Sequence, residues 1–322
     1  MTCERDEPAL PRARRTVGLH RAVVWLSVAA LAAGCGLSSQ RAAADALVEQ
    51  LRGSDGVASV TASFTEGRSD GHTFGVAATF DRDVTVPQAQ RAVADFVDGL
   101  AGFGEYFTML SLSLPSPAGT DSRLKIFPGD GLRSTDATEA TATLVDAVRT
   151  PSVAATALRV SWTGVPRRTV RGEVVLRPPL DDAALHALLL RHPTLQPVEW
   201  LVGGYRSSAY LPDAHTAALW QRVVAAAGPG LAPRGWTGAV PPGSGNWRTT
   251  VTIDDADLAD PATVGRIEAV AAALPGFGRP VDLTVGGPAG SLEITVGGCR
   301  RHRPGHVGVP AESQLAARWE RC

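Results

Sequence analysis

The chain has 322 residues, a formal net charge of −1 and a single lysine, Lys125, among its 31 basic residues. This length accommodates two or three small domains. The near balance of acidic and basic residues gives no electrostatic reason to expect nucleic-acid binding, because that function depends on a strongly basic surface.

The N-terminal segment combines positive charge with a short apolar run. Arginines cluster at the start of the chain, and an apolar run from Ala22 to Ala33 follows, interrupted only by Ser27; the arginines are Arg12, Arg14, Arg15 and Arg21. A basic region followed by a short apolar region and small residues is typical of a secretory signal. A transmembrane helix needs roughly 20 apolar residues, so this run is short for a membrane span.

The apolar run ends in Leu31-Ala32-Ala33-Gly34-Cys35, which resembles the lipobox of bacterial prolipoproteins. The resemblance implies that residues 1–34 are a signal peptide and that Cys35 carries a lipid. It further implies that the mature protein sits on the outer face of the cytoplasmic membrane. Ala32 departs from the family pattern, which usually has leucine there. The alternative is an uncleaved signal anchor in which Cys35 is an ordinary small residue.

Strand patterns run through most of the mature chain. Apolar residues alternate with polar or small ones in segments 58–64, 74–80, 110–114, 158–162, 170–176, 247–253, 281–285 and 292–296. This alternation at period two predicts strands with one buried face and one face in water. It therefore favours antiparallel sheets.

Amphipathic helices are predicted between the strand pairs. One apolar stripe, at helical spacing, consists of Val93, Phe96, Val97 and Leu100. Another consists of Val264, Ile267, Ala271 and Leu274, and shorter stripes lie at 185–189 and 219–224. Such stripes predict helices that pack on one face of the sheets.

Two distant segments resemble each other in sequence. Leu100–Gly104 and Leu274–Gly278 share a Gly-Phe-Gly ending, and each precedes a strand and a Pro-Ala-Gly turn. With the recurring element order, this predicts an α+β fold of three tandem αββαββ repeats. The order is a circular permutation of the ferredoxin-like arrangement. The predicted domains are 35–131, 132–211 and 212–322, the last with a C-terminal helix.

The C-terminal cysteines admit two interpretations. Cys299 and Cys322 form a pair that an oxidising compartment would turn into a disulfide. Alternatively, Cys299, His302, His306 and Cys322 have residue types and spacing compatible with a tetrahedral zinc site. The disulfide is the preferred prediction, with no metal and no cofactor.

Other candidate catalytic residues have simpler structural explanations. The acid pairs Asp181-Asp182 and Asp254-Asp255 adjoin predicted helix starts, where carboxylates cap free N–H groups, as do Asp257 and Asp260. The scattered histidines His72, His186, His192 and His215 are interpreted as surface or capping residues. The Gly-rich segments 241–246 and 286–291 each join two strands, so they predict hairpin turns and no phosphate-binding loop.

The sequence therefore predicts location better than chemistry. We expect a lipid-anchored extracytoplasmic protein that acts as a non-enzymatic binding or scaffold module. Its expected partners are the membrane, through the lipid, and an envelope protein or small ligand. Two alternatives remain: an extracytoplasmic hydrolase whose site assembles between repeats, and a zinc-binding protein that uses the C-terminal set.

Overall fold

The computed structural model describes residues 37–322 apart from 67–71, 101–106, 118, 128–132, 163–167, 209, 240–246, 289, 300–305 and 307. The chain divides into two compact units, Met1–Leu47 and Val48–Cys322. In the first unit only the beginning of one helix is described. The predicted signal peptide and Cys35 lie outside the described residues. Among the helices that are described, none is long and apolar enough to cross a membrane.

Helices and strands alternate regularly along the chain. The helices are α1 Leu37–Arg52, α2 Val86–Gly99, α3 Ser134–Arg149, α4 Asp182–Arg191, α5 Ala214–Ala227, α6 Pro261–Ala273 and α7 Pro310–Trp319. The strands are β1 Val57–Glu66, β2 His72–Phe80, β3 Phe107–Pro115, β4 Asp121–Phe127, β5 Val153–Trp162, β6 Arg168–Leu176, β7 Glu199–Val202, β8 Tyr205–Ser207, β9 Arg234–Ala239, β10 Trp247–Ile253, β11 Val281–Gly287 and β12 Gly290–Val296. The fold is therefore α+β, with a helix before each pair of strands.

All the described strands belong to one mixed sheet of 12 strands, whose order in space is their order in sequence. Strands joined by a hairpin, such as β1 and β2, pair antiparallel. Strands joined through a helix, such as β2 and β3, pair parallel. The prediction of antiparallel sheets was therefore wrong for the pairs joined by helices. The physical reason is that a helical crossover returns the chain to the end of the sheet where the previous strand began.

The crossovers also differ from the predicted ferredoxin-like pattern. In that split arrangement, another strand lies between the two parallel strands that a helix connects. Here each described crossover joins immediate neighbours, as in β4–β5 and β10–β11. Side-chain alternation reports only the buried face of a strand, so it does not distinguish these two connections.

One face of the sheet packs against helices and forms the core. On β4, Leu124 and Ile126 are fully buried, whereas Arg123 and Lys125 between them are exposed. At the C-terminal end, Ile267 and Val270 of α6 belong to the same buried cluster as the inward residues of β10–β12. Right-handed crossovers place successive helices on the same side of a sheet. Among the described residues, no helix covers the opposite face, and side chains such as Lys125 and Arg159 are exposed there.

Asp181 and Asp260 cap helix starts as predicted, whereas Asp254-Asp255 precede the start of α6 at Pro261 and do not cap it. Asp181 accepts a hydrogen bond from the N–H of Ala184, and Asp260 accepts hydrogen bonds from the N–H groups of Ala262 and Thr263. Thr85 and Gln88 form a reciprocal capping box at the start of α2. These contacts satisfy N–H groups that have no partner within the helix.

The C-terminal segment covers the β12 edge of the sheet. Glu312 accepts a hydrogen bond from the backbone N–H of Glu293 at 2.9 Å, and Glu320 accepts one from Thr295 at 2.9 Å. The disulfide between Cys299 and Cys322, whose Cα atoms are 4.7 Å apart, ties the end of the chain beside this strand. The segment occupies hydrogen-bonding positions that another strand would otherwise use.

Candidate binding surface

The uncovered side of the sheet, here called the open face, presents every second residue of each strand. In its β1–β3 part, the described side chains are mostly small or hydroxyl-bearing, with Met109 added on β3, and none of them is charged. Paired across the strands are Ser59 with Thr79 and Thr61 with Ala77 on β1–β2, and Thr79 with Ser113 and Ala77 with Ser111 on β2–β3. This region offers hydrogen-bond donors and acceptors at its surface.

Positive charge is concentrated on the next three strands. Lys125 of β4 lies beside Arg159 of β5, and Arg159 lies beside Arg171 of β6, each as direct cross-strand neighbours. We call these three residues the basic row. Arg123, two residues before Lys125 on the same strand, adds a fourth exposed cation. Like charges directly opposite each other destabilise a sheet, by about 0.2–1 kcal/mol per pair.

The surroundings offset this repulsion only in part. Among the described residues, none forms an ion pair with any of these four cations. The guanidinium of Arg159 lies over the ring of Phe127, 4.1 Å from its centroid. The nearest acidic positions on the same strands are Asp121 and Glu173, at the margin of the row. The row is therefore a local excess of positive charge.

The rest of the open face arranges its charges differently. Arg206 of β8 forms an ion pair with Glu199 at 2.7 Å, and Arg234 of β9 forms one with Asp254 at 3.5 Å. Arg248 of β10 forms an ion pair with Asp282 of β11. All three arginines are thus neutralised by acids on the same surface, which is the usual arrangement on a solvated sheet face.

A groove, here called the slot, opens beside the basic row because β7 is short. Only Glu173–Leu176 of β6 pair with β7, so none of the described strands pairs with the preceding part of β6 on that side. The slot has a volume of about 920 Å³, and its lining includes Arg171, Glu173, Pro193, Thr194 and Glu199. The Thr194 hydroxyl is buried and has no hydrogen-bond partner among the described residues.

Glycine 172 shapes the wall of the slot. Its φ of +138° is rare for residues with a side chain, and a Cβ atom there would lie 2.1 Å from the carbonyl oxygen of Ala157. Glycine is therefore required for β6 to approach β5 at this point.

A smaller depression of about 520 Å³ lies over β7–β10 and includes Arg206, Arg234, Trp236 and Thr250. Beneath it, the Tyr205 hydroxyl hydrogen-bonds with Thr237 and with Tyr210, each at 2.7 Å. Burial is the largest cause of the raised pKa of Tyr205. Tyr205 thus stays a neutral member of a buried hydroxyl network, which stabilises the sheet here.

One histidine has partners that resemble those of a hydrolase. His192 places Nε2 2.8 Å from Asp146 and Nδ1 3.1 Å from the hydroxyl of Thr143. Thr143 is 2 % exposed, and its hydroxyl also lies 3.0 Å from the carbonyl of Glu139. A nucleophile must reach a substrate, and this hydroxyl is enclosed within the helical layer. The contacts instead connect α4 to α3.

The other histidines and acid pairs occupy separate places. His186 lies 2.7 Å from the carbonyl oxygen of Asp182, and His215 is exposed on α5. Asp182 accepts a hydrogen bond from the N–H of Ala214 at the start of α5, and Asp254 pairs with Arg234. The side chain of His72 lies outside the described residues. The described members of this set do not converge on one pocket.

The predicted zinc alternative requires the two C-terminal cysteines as thiolate ligands, and in this structure they form a disulfide. Cys299 and Cys322 are joined to each other, whereas zinc requires thiolates. His306 contacts Glu312 at 2.8 Å, and His302 lies outside the described residues. Within the described parts of the chain, no group of three His, Cys, Asp or Glu side chains is placed to hold a metal ion.

The tryptophans are divided between core and surface. Trp200 and Trp220 are 1 % exposed and pack in the core. Trp247 is 46 % exposed and packs edge-on against Tyr210.

In comparisons with known proteins, no family model, no curated protein and no solved structure matched this chain.

Proposed function

We propose that this protein is a non-enzymatic binding module that engages its partner through the open face of the sheet. The observation that carries the proposal is that cations are neutralised by ion pairs in one part of that face and not in another. The exposed arginines of β8–β10 form ion pairs with acids on the same face. The exposed cations of β4–β6 form no ion pair with any described residue. An excess of like charge costs stability in the free protein, so a partner that neutralises it is the simplest reason to keep it.

The proposed location is the outer face of the cytoplasmic membrane, with a lipid on Cys35. The support is the signal-like N-terminus and its lipobox-like ending. A pairing of Cys299 with Cys322 agrees with an oxidising compartment. A lipid anchor would keep the module close to the membrane while leaving the sheet free to bind.

Three tandem αββαββ repeats remain the proposed internal organisation. The support is the helix–strand–strand order, which recurs from α1 to β12. Two such units make one predicted repeat. A boundary near Leu211 would fall between β8 and α5, whereas the one near residue 131 lies outside the described residues.

Photo-crosslinking in living host cells tests the proposed surface. A photoreactive amino acid is placed at Thr61 or Ser111 on the open face, and at Arg91 or Gln221 on exposed helix positions. We expect discrete adducts from the open-face positions only. Adducts from the helix positions alone, or none from the open face, would overturn the proposal.

A further inference from the structure

We infer that the basic row binds a linear polyanion whose charged groups are phosphates, laid across strands β4 to β6. This inference rests on the proposed function, because it assigns a ligand class to one part of the open face. The row consists of Lys125, Arg159 and Arg171, and Arg123 extends it along β4. All four side chains are exposed.

The open face contains both ion-paired arginines and the basic row. This difference argues that the basic row does more than keep the protein soluble. Arg206, Arg234 and Arg248 lie on the same face and are each ion-paired. Alternating charges of that kind keep a sheet face soluble without repulsion. The basic row instead places three cations side by side, in a chain whose overall charge is −1. The excess is thus local and is not a consequence of a basic composition.

The geometry favours an extended ligand. Neighbouring strands are about 4.8 Å apart, so the row extends about 10 Å across the sheet. Beyond Lys125 the same line continues through Ser111 and Ala77 to Thr61, and beyond Arg171 it opens into the slot. A linear ligand would have room on both sides of the row and hydroxyl groups to one side.

The density of the cations favours phosphate over carboxylate. Arginine binds phosphate through paired N–H donors, and lysine binds it as a compact point charge. A phosphate polymer carries charge on every repeating phosphorus and presents oxygens in several directions. A carboxylate polysaccharide carries a single planar group on each sugar, which suits a more widely spaced set of cations.

The test uses the full chain, purified from membranes, and fluorescently labelled inorganic polyphosphate as the probe. Binding is followed by anisotropy over a salt series. The triple variant Lys125→Gln/Arg159→Gln/Arg171→Gln is compared with Arg206→Gln/Arg234→Gln/Arg248→Gln. The control removes the same charge from the same face. We expect the first variant to weaken binding about tenfold or more and to flatten the salt slope by about one per cation removed. The control should stay within about twofold of the wild type.

Single variants keep the test decisive if the triple variant folds poorly. Lys125→Gln and Arg171→Gln each change one exposed side chain, and each should lose part of the affinity. Equal losses in the control and the row variant would overturn the inference, because net charge alone would then explain binding. Equal binding of polygalacturonate at matched charge would overturn the choice of phosphate.

Two further outcomes separate this inference from the proposed function. Row-dependent binding to phosphatidylglycerol vesicles, without binding to polyphosphate, would overturn the inference in favour of a membrane surface. Absence of polyphosphate binding by the wild type would also overturn it. Under either result, crosslinks from Thr61 and Ser111 would still support binding through the open face. Only the absence of these crosslinks would contradict the proposed function.

Discussion

The guanidinium carbon of Arg159 lies 4.1 Å from the centre of the Phe127 ring, on the strand next to it. A cation over an aromatic face at an exposed site contributes about 0.5–1 kcal/mol. The contact fixes the middle member of the basic row although both lateral neighbours carry the same charge. Phe127 therefore acts as a positioning residue for a cation that has no ion pair with a described acid.

Removing one charge from the row should stabilise the free protein. Lys125→Gln relieves the repulsion with Arg159, and we expect the free energy of unfolding to rise by about 0.2–1 kcal/mol. Arg206→Gln is the matched control. It breaks an ion pair with Glu199 and should lower stability by a comparable or smaller amount. Urea unfolding of both variants measures the effect, and a loss of stability in Lys125→Gln would contradict the claim of uncompensated charge.

The cap at the start of α5 should make stability depend on acid pH. Hydrogen bonds from the side chain and backbone of Thr216 hold the pKa of Asp213 below its ordinary value. Because the folded-state pKa is lowered, the charged cap contributes fully above the unfolded pKa, near 3.8, and its contribution is lost as pH falls through the lowered value.

Asp213→Ala should therefore cost about 0.5–1 kcal/mol at neutral pH, in the lower part of the capping range because the carboxylate is exposed. Asp213→Asn should keep much of the cap. The difference between wild type and Asp213→Ala should shrink as the pH falls below 3.8. Thermal unfolding over a pH series measures it, and a difference that grows with acidity would contradict the assignment.

The C-terminal disulfide should protect the β12 edge. The two cysteines are 23 residues apart, so Cys299→Ser/Cys322→Ser should cost about 3 kcal/mol by loop closure. Loosening α7 should also expose backbone groups of β12 and promote self-association. Urea unfolding measures the loss of stability, and sedimentation with and without reductant measures self-association. Glu312→Gln, with the disulfide intact, is a milder control, and a reduced protein that stays monomeric and equally stable would contradict the protective role.

Cys35→Ala should release the protein from the membrane or leave it as an uncleaved precursor, if Cys35 carries the lipid. Cell fractionation and mass spectrometry of the mature N-terminus measure this. Cys299→Ser is a suitable comparison, since it removes a different cysteine and should leave processing intact. Unchanged processing and membrane attachment in Cys35→Ala would exclude lipidation at this residue.

The sequence was informative about local structure and much less so about pairing. Alternation predicted strands such as β10 and β11, and capping residues such as Asp260 indicated where helices begin. It did not predict β9, because Gly235 and Gly238 interrupt the apolar alternation. A Cβ at Gly235 would lie 2.5 Å from the Tyr205 ring, so packing against large rings requires glycine there.

The basic row was beyond sequence reasoning for a related reason. Arg123 and Lys125 are visible as alternating cations on one strand, but Arg159 and Arg171 are distant in the chain. Only the parallel register of β4 with β5, and the antiparallel register of β5 with β6, brings them together. Register depends on long-range packing, which the alternation within a single strand does not encode.

Because the order of the strands in space repeats their order in the chain, each hairpin depends mainly on the elements just before and after it. Such a molecule is nearly one-dimensional in its energetics, like an array of stacked units. Its contacts are local in sequence, so pairing can begin as soon as neighbouring segments are available and can spread stepwise in either direction. If the unfolded chain emerges from one end, the sheet can therefore form strand by strand before the other terminus is available.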